Sequence, residues 1–309
     1  MAARTIVITV VRVHLVPLGR VAAALALATT ALTACSTAPV PPASDTGPQY
    51  LAIGDSYASG FRPALDGEPA QNTTSGFAWK IARDRGLELV NVSCAGITAV
   101  DFLEGEACDE ARRGADAPPV TGGSGAEEMT RHLDRYGDEI ELVTVVLGLN
   151  DLRRCSLDSA LRACAQETVP ATTEAIDELL TLIRDRVGED VPILGLTYPD
   201  FWTGEPVLQP EAESAPAIAD ATVDLFRRIL NPALRAVYAK HGATFVDVTR
   251  EFGAYGPSAR TVETPEFGTL PARAEDVCRW TYFCALGDPH PTSAGHTEIA
   301  RIVQEALDG

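Results

Sequence analysis

Residues 50–60, YLAIGDSYASG, join a short apolar run to a reactive side chain. Tyr50 to Ile53 is apolar throughout and bounded by a turn signal, as a buried strand is. Gly54 ends it, and Asp55, Ser56 and Tyr57 follow in a turn. A serine there stands at the carboxyl end of a parallel strand, the edge where open α/β sheets bind ligands. The N–H groups of the next turn can face a developing negative charge. Alone, the tripeptide Gly54-Asp55-Ser56 is equally compatible with a serine or aspartate capping the following helix, so the rest of the chain decides.

Working outward, strand-like and helix-like segments alternate. Strands are expected at 50–53, 87–93, 141–147, 191–196 and 243–248. Helices are expected at 77–85, 126–136, 167–187, 217–240 and 293–307, with a short one at 98–103. In the helix over 167–187, Ile176, Leu179, Leu180 and Ile183 share one face. Five apolar strands separated by helices predict a parallel sheet covered on both faces. Right-handed crossovers then give a three-layer α/β/α sandwich in a single domain over 50–309. Three segments, 62–76, 200–216 and 253–287, read as loops that set specificity. The last two follow strands four and five and so belong to the ligand-binding edge. Their Phe201, Trp202, Trp280, Tyr282 and Phe283 are expected to wall an apolar substrate group, or else to pack the loops down.

Composition narrows the function. The chain has 309 residues, 46% hydrophobic and 22% charged, with a net charge of −18. That charge argues against binding nucleic acid or an anionic membrane through a basic surface. Lys80 and Lys240 are the only lysines. The carboxylates are scattered without ligand spacing, so no metal is expected.

Residues 1–34 read as an export signal. Arg4, Arg12 and Arg20 precede an apolar run that is too short to span a membrane and ends in small residues. Leu32-Thr33-Ala34-Cys35 is similar to a lipoprotein box, in which Cys35 would be lipidated and become the first mature residue. The other reading is an ordinary cleaved signal with a chance cysteine. Residues 35–49 read as the lipidated cysteine and a flexible tether. The segment ahead of Arg20 is long for a basic leader, which points to a translation start further downstream. Export agrees with the cysteines: setting Cys35 aside leaves Cys94, Cys108, Cys155, Cys164, Cys278 and Cys284. Six cysteines allow 15 pairings; their spacing suggests sequential neighbours, 94–108, 155–164 and 278–284. Metal binding is the rival use, but no CxxC pair exists and no histidine is near.

Three local features stand at ends of elements: Asn91-Val92-Ser93-Cys94-Ala95-Gly96, Gly148-Leu149-Asn150-Asp151, and Gly287-Asp288-Pro289-His290-Pro291-Thr292. The ends of the first three strands share one edge of a parallel sheet, so Ser56, Gly96 and Asn150 can converge. Acyl transfer by serine needs a base, which His290 can supply. It also needs donors toward an oxyanion. The N–H groups of Ser56 and Gly96 and the Asn150 amide would provide three. His14 lies in the signal, His132 and His241 are expected to be exposed, and His296 to pack or cap locally.

Together GDSY, the glycine block, GLND and DPHPT resemble the four blocks of the SGNH hydrolase superfamily, also called GDSL esterases/lipases. The resemblance runs through nearly all of 50–309, in order. It implies a flavodoxin-like sandwich and hydrolysis of carboxylic esters without metal or cofactor. Ser56 would be the nucleophile, His290 the base, and Gly96 and Asn150 part of the oxyanion hole. The cysteine pattern is similar to that of secreted actinobacterial members with three sequential bridges. The family usually has an aspartate three residues before the histidine. Here Gly287 holds that place and Asp288 stands two before. Either the Gly287 carbonyl or the Asp288 carboxylate is therefore expected to orient His290.

The expected protein is a lipid-anchored or secreted esterase acting as a monomer on a small-molecule ester, an acyl lipid or an acylated glycan. Membrane contact is expected only through the lipid anchor. Two rivals are an acyltransferase using the same site on a glycan or lipid alcohol, and a non-catalytic surface binding protein that kept the fold.

Overall fold

The structure, a computed structural model, describes residues 47–119 and 122–309. The signal segment, Cys35 and the tether up to residue 46 lie outside these residues. Gln49, expected in the tether, instead opens the first strand and is buried.

Five strands form the main sheet: β1 Gln49–Gly54, β2 Glu88–Ser93, β3 Ile140–Val146, β4 Ile193–Leu196 and β5 Thr244–Val246. All neighbouring pairs are parallel, in the order β2-β1-β3-β4-β5. This is the doubly wound order of flavodoxin-like folds, whose switch point lies between β1 and β3. β1 is an interior strand and wholly buried, which explains its unbroken apolar run.

Helices cover both faces: α1 Phe77–Arg85, α2 Gly125–Tyr136, α3 Leu161–Val187, α4 Ala215–Leu225, α5 Asn231–Lys240 and α6 Ser293–Asp308. α1 packs with α6, while α3 packs with α2 and α5. Ile176, Leu179, Leu180 and Ile183 form the buried stripe of α3, as their spacing predicts. α3 begins earlier than expected, at Leu161, and carries Pro170 inside it.

The single helix expected over 217–240 is interrupted. A π-helical turn, Phe226–Leu230, separates α4 from α5, and Pro232 stands in the first turn of α5. Proline lacks the N–H that would bond four residues back and crowds that carbonyl, and the wider turn relieves the clash. The segments expected as plain loops also hold local structure. Residues 200–216 include the turns Phe201–Gly204 and Glu205–Leu208. Residues 253–287 include a hairpin, Thr261–Thr264 with Gly268–Pro271, and two short helices. Within 62–76, Gln71–Asn72 pairs with Phe61–Arg62.

Three disulfides join Cys94 to Cys108, Cys155 to Cys164 and Cys278 to Cys284, the sequential pairing. His296 is buried, and its Nδ1 accepts the Phe77 N–H at 3.3 Å, so it caps α1 rather than its own helix. Burial lowers its pKa to about 3, which keeps it a neutral acceptor. His132 and His241 are half-buried rather than exposed, bonded to Gln49 and Asp177.

Candidate active site

Ser56 sits in the turn after β1, at the sheet's switch point. Two features shape that turn. The Asp55 carboxylate accepts the Tyr57 N–H at 3.0 Å, and the Ser59 N–H bonds the Asp55 carbonyl at 2.9 Å. Gly54 permits the close approach to β3 that this requires. A Cβ at Gly54 would lie 2.6 Å from the Val146 carbonyl oxygen and 2.8 Å from the Ala58 Cβ.

His290 arrives from the loop before α6, more than two hundred residues later. Its Nε2 is 2.8 Å from Ser56 Oγ, and its Nδ1 is 2.8 Å from Asp288 Oδ1. The same Asp288 oxygen accepts the His290 backbone N–H at 3.0 Å, closing a tight turn across Pro289. Burial pushes the Asp288 pKa up, but the hydrogen bond and charge of His290 more than offset this and hold it below the usual carboxylate range. An ionised carboxylate only accepts, so Nδ1 carries the ring proton and Nε2 is left to accept from the serine.

Two aromatic side chains fix the imidazole. The Phe61 ring lies 4.4 Å from it, centroid to centroid. The Tyr57 ring lies 6.0 Å away, and its hydroxyl donates to the Pro289 carbonyl at 2.7 Å.

Gly96 and Asn150 meet Ser56 at the same rim. Gly96 has φ +75°, a left-handed conformation that favours glycine. Among the described residues, neither the Ser56 nor the Gly96 N–H is used in a hydrogen bond. The Asn150 amide nitrogen is 3.0 Å from both Asp55 Oδ2 and the Ile97 carbonyl, so both of its protons have protein acceptors. Asp55 is buried and also accepts from the Tyr198 hydroxyl at 2.6 Å. Burial raises its pKa to about 6, and the bonds from Tyr198 and Tyr57 hold it from rising further. The sequence offered Asp55 only as a possible helix cap and assigned nothing to Tyr198. An acid beside the expected nucleophile, at a buried strand end, was the available signal for Asp55; Tyr198 offered none.

A cavity of about 540 Å³ opens beside Ser56 and His290. Phe201 and Trp202 line it, as expected. Trp280, Tyr282 and Phe283 do not; Trp280 meets Phe252 edge-on and Phe283 packs behind Phe201. Leu149, Leu152, Leu157 and Leu161, on either side of Cys155 of the Cys155–Cys164 bridge, also line the cavity. Leu149 stands within the Asn150 block and the other three follow it, but their spacing up to the start of α3 has no period to read.

A hydroxyl bonded to an imidazole, which is bonded in turn to a carboxylate, can pass its proton to the ring as it attacks a carbonyl. Fold and geometry thus define an α/β protein with a serine–histidine–aspartate array at the carboxyl rim of a parallel sheet. The model of the GDSL-like Lipase/Acylhydrolase family matches residues 52–297, well over half of the chain. The chain belongs to this family and is an enzyme of the carboxylic ester hydrolase class. It is 26% identical over 291 residues to Lipase 2 of Streptomyces coelicolor, covering 84% of this chain and 85% of that one. Among solved structures it is similar to an extracellular lipase from Streptomyces rimosus, at a TM-score of 0.47 and 18% identity, over 84% of this chain and 100% of the other. It is also similar to a lipolytic G-D-S-L protein from Veillonella parvula, at 0.39 and 10%, over 84% and 98%.

Proposed function

We propose that the chain cleaves carboxylic esters through an acyl-enzyme on Ser56. The observation that carries this is the continuous hydrogen-bonded array Ser56–His290–Asp288 at the mouth of an apolar cavity. Ser56 Oγ attacks the ester carbonyl while His290 Nε2 takes its proton. Asp288 holds the Nδ1 proton and stabilises the imidazolium that forms. The free N–H groups of Ser56 and Gly96 bond the oxyanion. Asn150 holds the rim through Asp55 and Ile97, and joins as a third donor when one of its protons turns to the substrate. His290 then protonates the leaving alcohol, and water activated by the same ring releases the acid.

The same proposal has the chain exported, with Cys35 as the lipidated first residue. The three disulfides support an oxidising compartment.

The test is release of p-nitrophenol from short-chain acyl esters, together with covalent labelling by a fluorophosphonate. Both are expected in the full chain, with the label on Ser56, and both are expected to vanish in Ser56→Ala. Undiminished hydrolysis by Ser56→Ala would overturn the mechanism. For the anchor, incorporation of a fatty-acid probe is expected in the chain and not in Cys35→Ser.

A further inference from the structure

Two arginines, Arg112 and Arg153, line the same cavity as Ser56. They are the cavity's only lining residues that carry a fixed positive charge, on a chain whose net charge is −18. Both are exposed, and among the described residues neither pairs with a carboxylate. Both are anchored on the backbone at Gly96. Arg112 Nε donates to the Ala95 carbonyl at 2.7 Å, and Arg153 Nη1 to the Gly96 carbonyl at 3.3 Å. Each guanidinium carries five N–H donors, so these anchoring bonds fix the side chain and leave most of its donors facing solvent at the cavity mouth.

Resting on the acyl-enzyme reading above, we infer that Arg112 and Arg153 form an anion subsite for a phosphate group on the alcohol half of the substrate. The ester class is then a glycerophospholipid rather than a neutral ester. The leucine and tryptophan wall takes the acyl chain. The alcohol half is left with the polar part of the lining, which includes the two exposed arginines. Phosphate oxygens match the planar fork of arginine, and charge-assisted bonds of this kind are the strong ones. A glycerophospholipid carries its phosphate on the same glycerol as the scissile ester, so one cavity lined by both Ser56 and the arginines can meet both groups. The peptide between Ala95 and Gly96 is trans, so its carbonyl and N–H point in opposite directions. Arg112 is bonded through Nε to that carbonyl, so it does not occupy the Gly96 N–H that would meet the oxyanion. Its remaining donors are available to a more distant anion. An acidic surface otherwise repels such a substrate, and two unpaired cations at the mouth supply local attraction.

The test compares two substrates with the same acyl groups, dioctanoyl phosphatidylglycerol and dioctanoylglycerol, each in nonionic detergent micelles. The measured quantity is the ratio of their kcat/KM values. The wild-type ratio favours the phospholipid. It is expected to fall about tenfold in Arg112→Gln or Arg153→Gln and about a hundredfold in the double variant. Arg→Lys at either position should restore part of the loss, since the charge remains without the fork. Dodecyl phosphate should inhibit competitively in the wild type and weakly in the double variant. The subsite is wrong if the wild type shows no preference for the phospholipid, or if the variants lose activity on both substrates in parallel. The second result would place the arginines in support of the Gly96 loop. Failure of the underlying mechanism looks different: hydrolysis of either lipid would then persist in Ser56→Ala.

Discussion

The Oδ1 of Asp288 lies 2.8 Å from Nδ1 of His290, although only Pro289 stands between the two residues. The short separation is possible because the same oxygen also takes the His290 backbone N–H, which folds the carboxylate back over the ring. Of the two groups expected to orient His290, the carboxylate is the one in bonding position. Asp288→Asn is accordingly expected to lower kcat by about 10²- to 10⁴-fold, since an amide at this place favours the wrong imidazole tautomer. Steady-state kinetics on a p-nitrophenyl ester decides it. A rate within twofold of the wild type would leave the backbone carbonyl of Gly287 as the orienting group.

Asp55 and Asn150 share a hydrogen bond of 3.0 Å at the heart of the rim. Residues bonded in this way do not contribute independently. Asn150→Ala is expected to cost about 10²-fold in kcat/KM, and Asp55→Asn a comparable amount. The double variant should cost little more than either one, a coupling of about 0.5–3 kcal/mol. Additive losses in a double-mutant cycle would mean that Asn150 acts apart from Asp55.

The Tyr57 hydroxyl ties the turn after β1 to the loop that carries His290, through its bond to the Pro289 carbonyl. Tyr57→Phe keeps the ring and removes the hydroxyl, leaving the Pro289 carbonyl without its donor. The expected result is a fall in kcat of about tenfold, the order of one lost buried bond, with KM unchanged because the apolar wall is untouched. A change confined to KM would refute the positioning role.

The Cys155–Cys164 bridge holds the leucine wall of the cavity. Replacing both cysteines by serine is expected to lower stability by about 2–3 kcal/mol, the entropy of a short closed loop. KM for octanoyl esters should rise more than KM for acetyl esters, since only the longer chain reaches the wall. Denaturant titration and a chain-length series measure the two effects; equal changes in KM would separate the bridge from substrate binding.

Asp200, just after β4, is fully buried, and neither carboxylate oxygen has a hydrogen-bond partner among the described residues. The neighbouring Thr222 hydroxyl donates instead to the Ala219 carbonyl at 3.2 Å. Burial raises the Asp200 pKa from 3.8 to about 7. A raised pKa means that the folded state holds the proton more tightly than the unfolded state. This contribution to stability is complete below pH 3.8 and is lost as the pH rises to about 7. The loss is on the order of 1.4 kcal/mol per pH unit at most. Asp200→Asn should flatten that slope, so that the variant gains on the wild type as the pH rises. Unfolding free energies at several pH values between 4 and 8 test this, and parallel profiles would disprove it.

The sequence by itself determined the layers and the candidate site residues. β1 is apolar because both its faces are covered, and α3 shows its stripe because one face is. Ser56, Gly96, Asn150 and His290 were legible because each stands in a short block at the end of an element, where side-chain type follows from chemistry more than from packing. The break between α4 and α5 was partly legible, since Pro232 marks it, but the choice of a π turn over an ending depends on what the helix packs against. Tertiary structure alone decided which aromatic residues face the substrate. Phe201 lines the cavity and Phe283 packs behind it, and nothing local distinguishes the two. It likewise decided that Asp288 rather than Gly287 meets the imidazole, and that Tyr198 reaches Asp55 across the sheet. Local periodicity records which residues are buried; only the folded chain records which neighbours they are buried against.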